Sequence, residues 1–445
     1  MDHRRRAGRH LRSDGLSGRI VVDGYSEKWL RRGFPWVYPK EVTKGERVFA
    51  GAEAVIVGLK GEVLGRGLLD QGWIAARVFR HDDGPLDRAW LAGVVDRALA
   101  LRAMVIDDKT TGYRLIHAEN DGLPGIRVDR WGDRLVIALD SPAVRPLIDP
   151  LVELLIERLG PVGVHLCYRP DKRDTIDRAS MRGGLLYGAP AEGPTEVTER
   201  GLRFRVYPDE GPDVGLYPDM RATRLMLEPL WKGRRVLNTF AFTGAFGVAA
   251  LAHGAASVVN VDLSQKYLDR ARDNFSLNGL LPGDDAFVAE DTFKALDRFR
   301  RKSVQFDVVV LDPPSFSHGE GMFSAERDTV RLVAAAARVL AKDGLLLAPE
   351  FVRRPFAEVA RGEQQAVLRE HARGRGDEAH RVALGGEHAL AVAEARRVEH
   401  DHIELDGLAA KPIQRLERVF GDERVIAGEQ PVEREVVLRA RQVLL

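Results

Sequence analysis

Cysteine is almost absent: Cys167 is the only one in 445 residues. One thiol makes no internal disulfide and no cysteine-cluster zinc site, so no metal is expected, and it fits a reducing compartment, with cytoplasm as the expected location. Long apolar runs are missing too. None reaches the roughly 18–20 residues that span a bilayer, and "MDHRRRAGRHLR" at the N-terminus has no apolar segment behind its arginines. Neither membrane insertion nor export is expected. Net charge is the third absence, because Lys+Arg 67 nearly cancels Asp+Glu 66. Attraction to nucleic acid must then come from local basic patches.

What is present is organised in stretches. Residues 1–17 form a basic tail, read either as an RNA-touching arm or as a solvated extension. Residues 18–84 read as a small mixed β domain, with alternating runs such as "AVIVGLKGEVLGRGLLD" and one short helix around Ser26 to Arg32. Within it Trp29, Arg31, Arg32, Phe34, Trp36 and Tyr38 interleave cations with aromatics, a composition suited to phosphate contact and base stacking. The alternative is that Phe34 and Trp36 are core and the arginines merely solvated. Residues 85–200 open with a helix, Asp87 to Val105, and continue as a central α+β domain. Its turn formers Asn120-Asp121-Gly122 and Pro124-Gly125 argue geometry rather than catalysis.

From residue 201 the chain becomes regular. Strand and helix alternate through five strands up to "GLLLAP", which predicts an α/β domain with a parallel sheet covered on both faces. Ligands in such sheets bind at the carboxyl ends of the strands. "VLNTFAFTGAFG" turns from strand to helix at Thr243, Gly244 and Gly247, where backbone N–H groups can approach a ligand. Asp262 ends the next strand about 20 residues on, placed to accept ribose hydroxyl bonds. Asp291 ends the third strand and is suited to an adenine amino group or, alternatively, to capping the following helix. The fourth strand runs into Asp312-Pro313-Pro314-Ser315-Phe316, a stiff acid ledge able to hold a planar base, with Phe316 either stacking on it or packing under the next helix. The glycines do not follow G-x-G-x-x-G, which leaves a nicotinamide-dependent oxidoreductase a distant reading.

In this order "VLNTFAFTGAFG", "NVDLS", "AEDTF" and "LDPPSFS" resemble the S-adenosylmethionine (SAM)-dependent class I methyltransferases, specifically those of bacterial 23S ribosomal RNA. "RRGFPWVYPKEV" resembles the PUA domain of the cytosine-C5 members, and "RLIHAENDGLPGIRVDRWGDRLVI" their central domain; "GLRFRVYPDEGPDVGLYPDMRATR", with Tyr217, Asp219 and Arg221, resembles their entry into the catalytic domain. The likeness covers Gly18 to Leu347. It implies a Rossmann-like fold, SAM as cofactor and ribosomal RNA as partner. The cofactor would lie on Asn238, Phe240, Thr243, Gly244, Gly247, Asp262, Asp291 and Asp312, and the base on Asp312, Pro313, Pro314 and Phe316. RNA would be gripped through Arg31, Arg32, Trp36 and Arg221. One sequence does not fix the oligomeric state, and a homodimer stays open.

Departures from the pattern bear on the chemistry. Pyrimidine C5 methylation needs a cysteine thiolate to attack C6, and the family's cysteine follows the fifth strand, where this chain has "LLLAPEF". Cys167 reads instead as a small buried hydrophobe. A guanine N7 is already a nucleophile, and "NVDLSQKYLDRARDNFSLNGL", "LDPPSFS" and "ERD" resemble the guanine-N7 enzymes, although "SHGEGM" lacks their basic residues. An exocyclic amine is a third target, with Asp312 accepting its N–H bonds. Residues 351–445 contain no Tyr or Trp, offer few runs suited to closing strands and match nothing in the family. A reading-frame shift near Ala348 would explain that ending. The rival reading is a catalytically inactive RNA-binding protein.

Overall fold

The computed structural model describes residues 18–45, 49–168, 183–210, 214–313, 325–348, 381–386, 389–398 and 402–405. Contacts divide the chain into two units, Met1–Gly201 with Val206–Val214, and Leu202–Arg205 with Gly215–Leu445.

The first unit begins with β1 (Gly18–Val22), α1 (Gly24–Leu30), β2 (Trp36–Val37), β3 (Val42–Gly45), β4 (Glu53–Val57), β5 (Val63–Leu69) and β6 (Ala76–Arg80). The strands form one sheet in the order β2-β6-β5-β4-β1-β3, in which only β1 and β4 run parallel. Helix α1 starts two residues before the expected Ser26, because the Asp23 carboxylate accepts the Ser26 N–H at 2.8 Å and caps it there. The core beneath is aliphatic: Ile20, Val22, Leu30, Val37, Ile56 and Leu64 are among its buried residues.

A second sheet follows α2 (Arg88–Val105): β7 (Gly112–His117), β8 (Ile126–Trp131), β9 (Arg134–Leu139), then α3 (Ile148–Leu159), β10 (Gly163–Tyr168) and β11 (Gly184–Gly188), in the order β11-β10-β9-β8-β7. Asp87 caps α2 through the Trp90 N–H, so the helix body starts one residue later than expected. Asp121 holds Arg102 and the His117 N–H, which makes the Asn120-Asp121-Gly122 turn a structural knot. Cys167 is buried in β10.

After β12 (Thr195–Glu199) and β13 (Leu202–Val206), the second unit runs α4 (Arg221–Met226), β14 (Arg235–Thr239), α5 (Ala245–Ala252), β15 (Ser257–Asp262), α6 (Gln265–Leu277), β16 (Phe287–Ala289), α7 (Thr292–Arg301), β17 (Phe306–Leu311), α8 (Ala325–Ala337) and β18 (Leu340–Ala348). The five strands β14–β18 are parallel and ordered β16-β15-β14-β17-β18. Their order reverses between β14 and β17, the crevice where doubly wound sheets bind ligands. Val236, Leu237, Val261, Val308, Val309, Val310 and Leu346 are all buried, as expected of strands covered on both faces.

The expectation that little beyond Glu350 suits closing strands is corrected by the fold. β19 (Arg381–Gly386) adds in parallel to β18, and β20 (Ala389–Val398) and β21 (His402–Leu405) continue antiparallel. "ALAVAEARRV" is alanine-rich with few β-branched residues, so propensity hides what pairing supplies.

Candidate active site

Parallel registry brings the strand ends together. Thr239 lies opposite Leu311 on one side and Val261 on the other, and Asp262 lies opposite Ala289. Phe240, Asp262, Asp291 and Asp312 therefore leave the sheet at the same edge, as the sequence predicts.

The turn after β14 is more strained than its glycines implied. Phe240 (φ 53°), Phe242 (φ 50°) and Gly244 (φ 78°) are all left-handed. A bulky residue there is a true outlier, costing about 1–3 kcal/mol each. The Asp262 carboxylate holds the turn: one oxygen accepts the Phe242 N–H at 2.8 Å and the other the Ser264 N–H at 2.9 Å. Burial pushes the Asp262 carboxyl above its ordinary range, against the lowering effect of the Ser264, Phe242 and Leu263 amides. The Phe242 ring sits 5.3 Å from Tyr217 and 4.5 Å from Tyr267. Phe242 escapes a sequence reading because left-handed turns normally advertise themselves with Gly or Asn.

Several residues expected to touch a cofactor do other work. Thr243 is fully buried and its hydroxyl donates to the Gly215 carbonyl. A Cβ on Gly247 would lie 2.4 Å from Asn260 Oδ1, and one on Gly244 would lie 2.9 Å from Ala271 Cβ. Both glycines are closely packed by the chain's own neighbours, which is a packing reason for a small residue at each position. Asn238 donates to Asn260 Oδ1 at 2.9 Å inside the sheet. A further residue, Asn274 on α6, is fully buried; it accepts the Arg205 N–H at 2.9 Å and donates to the Thr243 carbonyl at 3.0 Å, bracing the turn from behind. Nothing local in "ARDNFSL" signals this.

Asp291 is the N-cap of α7, accepting the Lys294 N–H at 3.1 Å with one oxygen. The capping reading is therefore realised, and the second oxygen has a separate edge to offer. Phe240 and Asp291 line a cavity of about 870 Å³ shared with Phe293, Lys294, Arg298 and Arg331. Asp312 follows β17 half-buried and Pro313 is buried; Asp312 is engaged within the chain. Pro314 and Phe316 lie outside the described residues.

The expected RNA contacts lie apart in sequence and differ in state. Arg31 is tied to Glu27 at 3.0 Å and Glu62 at 3.1 Å. Arg32 stands 5.3 Å over the Trp29 ring. Trp36 donates to Glu119 at 3.0 Å. Arg221 opens α4, half-buried. Among the described residues no cluster of metal-binding side chains occurs and no helix is long and apolar enough to cross a membrane.

A half-buried strand-end carboxylate that accepts backbone amides, beside a strained turn and a second acid one strand over, fits an adenosine, because its oxygens can also accept from ribose hydroxyls. With the 3-2-1-4-5 strand order this defines a Rossmann-like nucleoside-binding domain of the SAM-dependent methyltransferase class. The comparisons agree. Residues 163–381 match the model of an S-adenosylmethionine-dependent methyltransferase, and residues 20–81 that of a PUA-like domain. The protein of Shewanella amazonensis named ribosomal RNA large subunit methyltransferase I is 36% identical over 319 residues, covering 69% of this chain and 79% of its own. That of Photobacterium profundum, with the same name, is 36% identical over 335 residues, covering 72% and 82%. The chain belongs to this ribosomal RNA large subunit methyltransferase I family. A SAM-dependent methyltransferase from Streptococcus mutans, so described by its name, shares the fold with a TM-score of 0.69 at 21% identity, over 82% of this chain and 92% of its own.

Proposed function

We propose that the protein transfers the methyl group of SAM to a base of 23S ribosomal RNA in the cytoplasm. The observation that carries this is the 36% identity, over more than 300 residues, to proteins named for large-subunit ribosomal RNA methylation. SAM supplies an electrophilic methyl on a sulfonium centre. Asp262 orients the ribose, the uncapped oxygen of Asp291 meets the adenine amino group, and Phe240 bounds the same cavity. Asp312 and Pro313 begin the ledge for the acceptor base, with Asp312 accepting N–H bonds and so positioning the base. Residues 18–84 grip RNA, 85–200 join them to the catalytic residues 201–350, and a homodimer is the assembly to test by sedimentation.

The acceptor atom in this reading is a ring nitrogen or an exocyclic amine. Cys167 is buried in β10, in the first unit, and no cysteine follows β18. Without a thiolate, C5 of a pyrimidine is not activated, whereas a lone-pair nitrogen needs only in-line placement. Mass mapping of ribosomal RNA from cells with and without the gene tests this. One base losing a nitrogen-borne methyl mark supports it, and an unchanged map rejects it. If the lost mark is a pyrimidine C5 methyl, the coding frame beyond Ala348 is the place to look, and resequencing there would restore a cysteine. The inactive RNA-binding alternative is separated by calorimetry: folded protein with no affinity for S-adenosylhomocysteine (SAH) is not an enzyme of this class.

A further inference from the structure

Five aromatic residues fall between Tyr25 and Tyr38, and none belongs to the core of the domain that carries them. The spacing on α1 places Tyr25 and Trp29 one turn apart on one face, and both stay in water, Tyr25 63% and Trp29 38% exposed. Their rings are 6.3 Å apart. The chain of rings continues from Trp29 to Phe34 at 6.4 Å, and from Phe34 to Trp36 at 5.6 Å and to Tyr38 at 6.3 Å. The three inner rings are half-buried and brace the two outer ones. Hydrophobic burial does not account for such a row, since its outer end exposes the most surface.

Charge says what the row meets. Arg32 lies over Trp29, Lys28 is exposed between the two outer rings in sequence, and Arg31 is held beside them by Glu27 and Glu62. A second copy of this face would bring together two surfaces that each carry the exposed cations Lys28 and Arg32, which like charges oppose. A polyanion with flat apolar faces matches both features. Bases in a duplex hide those faces in their own stack, whereas unpaired bases present them to aromatic side chains whatever their identity. We infer that this face binds unpaired RNA, with bases stacking on Tyr25 and Trp29 and a phosphate on Arg32. The inference rests on the RNA reading above and adds that the substrate reaches the enzyme as an open strand.

The test uses the full chain and fluorescence polarisation with two labelled probes, an unstructured uridine-rich 12-mer and a hairpin duplex of equal length. The open strand binds at least tenfold tighter. The double substitution Tyr25→Ala with Trp29→Ala removes about ten- to hundredfold of that affinity, Trp29→Phe returns most of it, and Arg32→Gln lowers the salt slope by about 0.7. Equal binding of both probes, or an unchanged double variant, overturns the inference while leaving methylation intact; so does a dimer in sedimentation that the double variant dissolves. Should the double variant melt early, the wild-type preference between probes decides alone. No affinity for either probe sinks the RNA reading as well, and SAH calorimetry on the same sample shows whether the cofactor half survives.

Discussion

The two ends of this protein hold their working groups by opposite means. At the strand ends of the catalytic sheet, Asp262, Thr243 and Asn274 are locked by buried and part-buried hydrogen bonds beside glycines at which an added Cβ would force a neighbour to shift. On the N-terminal domain, Tyr25 and Trp29 meet neighbouring rings and the Arg32 guanidinium and stand in water. A cofactor of one fixed shape rewards a preorganised pocket. A long, varied polymer rewards a surface that accepts many poses. The contrast teaches that substitutions at the first end should break the fold and the site together, and at the second should touch binding alone.

The largest expected effect is at Asp262. Asp262→Ala leaves the part-buried Phe242 and Ser264 amides without their acceptor, about 1 kcal/mol for each, so both the melting temperature and SAH affinity fall, the latter at least a hundredfold by calorimetry. Next is Gly247→Ala, whose Cβ would meet Asn260 Oδ1 at 2.4 Å; overpacking of this kind costs about 1–3 kcal/mol, read as an earlier urea midpoint. Asn274→Ala should follow with a similar loss of about 1–3 kcal/mol and a raised KM for SAM, since the brace behind Thr243 goes with it. Arg31→Gln should change RNA affinity least, within about twofold, because its charge is already spent on Glu27 and Glu62. A large loss there would erase the distinction drawn between Arg31 and Arg32.

pH sharpens the same contrast. Burial raises the Asp262 carboxyl, so between its ordinary value and the raised one the folded state carries a proton that the unfolded chain lacks. The Asp262 contribution to stability therefore improves as pH falls through that window and is lost as pH rises through it. SAH affinity should move the other way, because a protonated carboxyl offers fewer acceptors to the ribose. Parallel melting and calorimetry series should diverge in acid, and Asp262→Asn should abolish the divergence.

Much of this was legible in the sequence because it is local. Strand and helix alternation gave the parallel sheet, and acids at the ends of apolar runs gave Asp262, Asp291 and Asp312. Asp291 announced its cap by position. What stayed hidden is set by partners far along the chain. Asn274 meets Arg205 across 69 residues, and the left-handed Phe242 has its amide held by Asp262, 20 residues on. Gly244 and Gly247 were visible as special, and the close neighbours Ala271 and Asn260 add a packing reason that the sequence did not show. Strands β19–β21 were missed because alanine and arginine carry little strand propensity until a sheet edge recruits them.

The amide pair Asn238 and Asn260 has a consequence for how the sheet finds itself. The buried stretches of β14, β15 and β17 are mostly Val and Leu apart from the two asparagines, and greasy strands of that kind slide past one another with little to tell one alignment from the next. A two-residue slip of β15 on β14 would leave both amides facing hydrocarbon, a penalty of about 1–3 kcal/mol for each, while the valines would hardly notice. The pair thus works as a vernier, letting only one alignment of the strands persist and so fixing where every acid at their ends comes to rest.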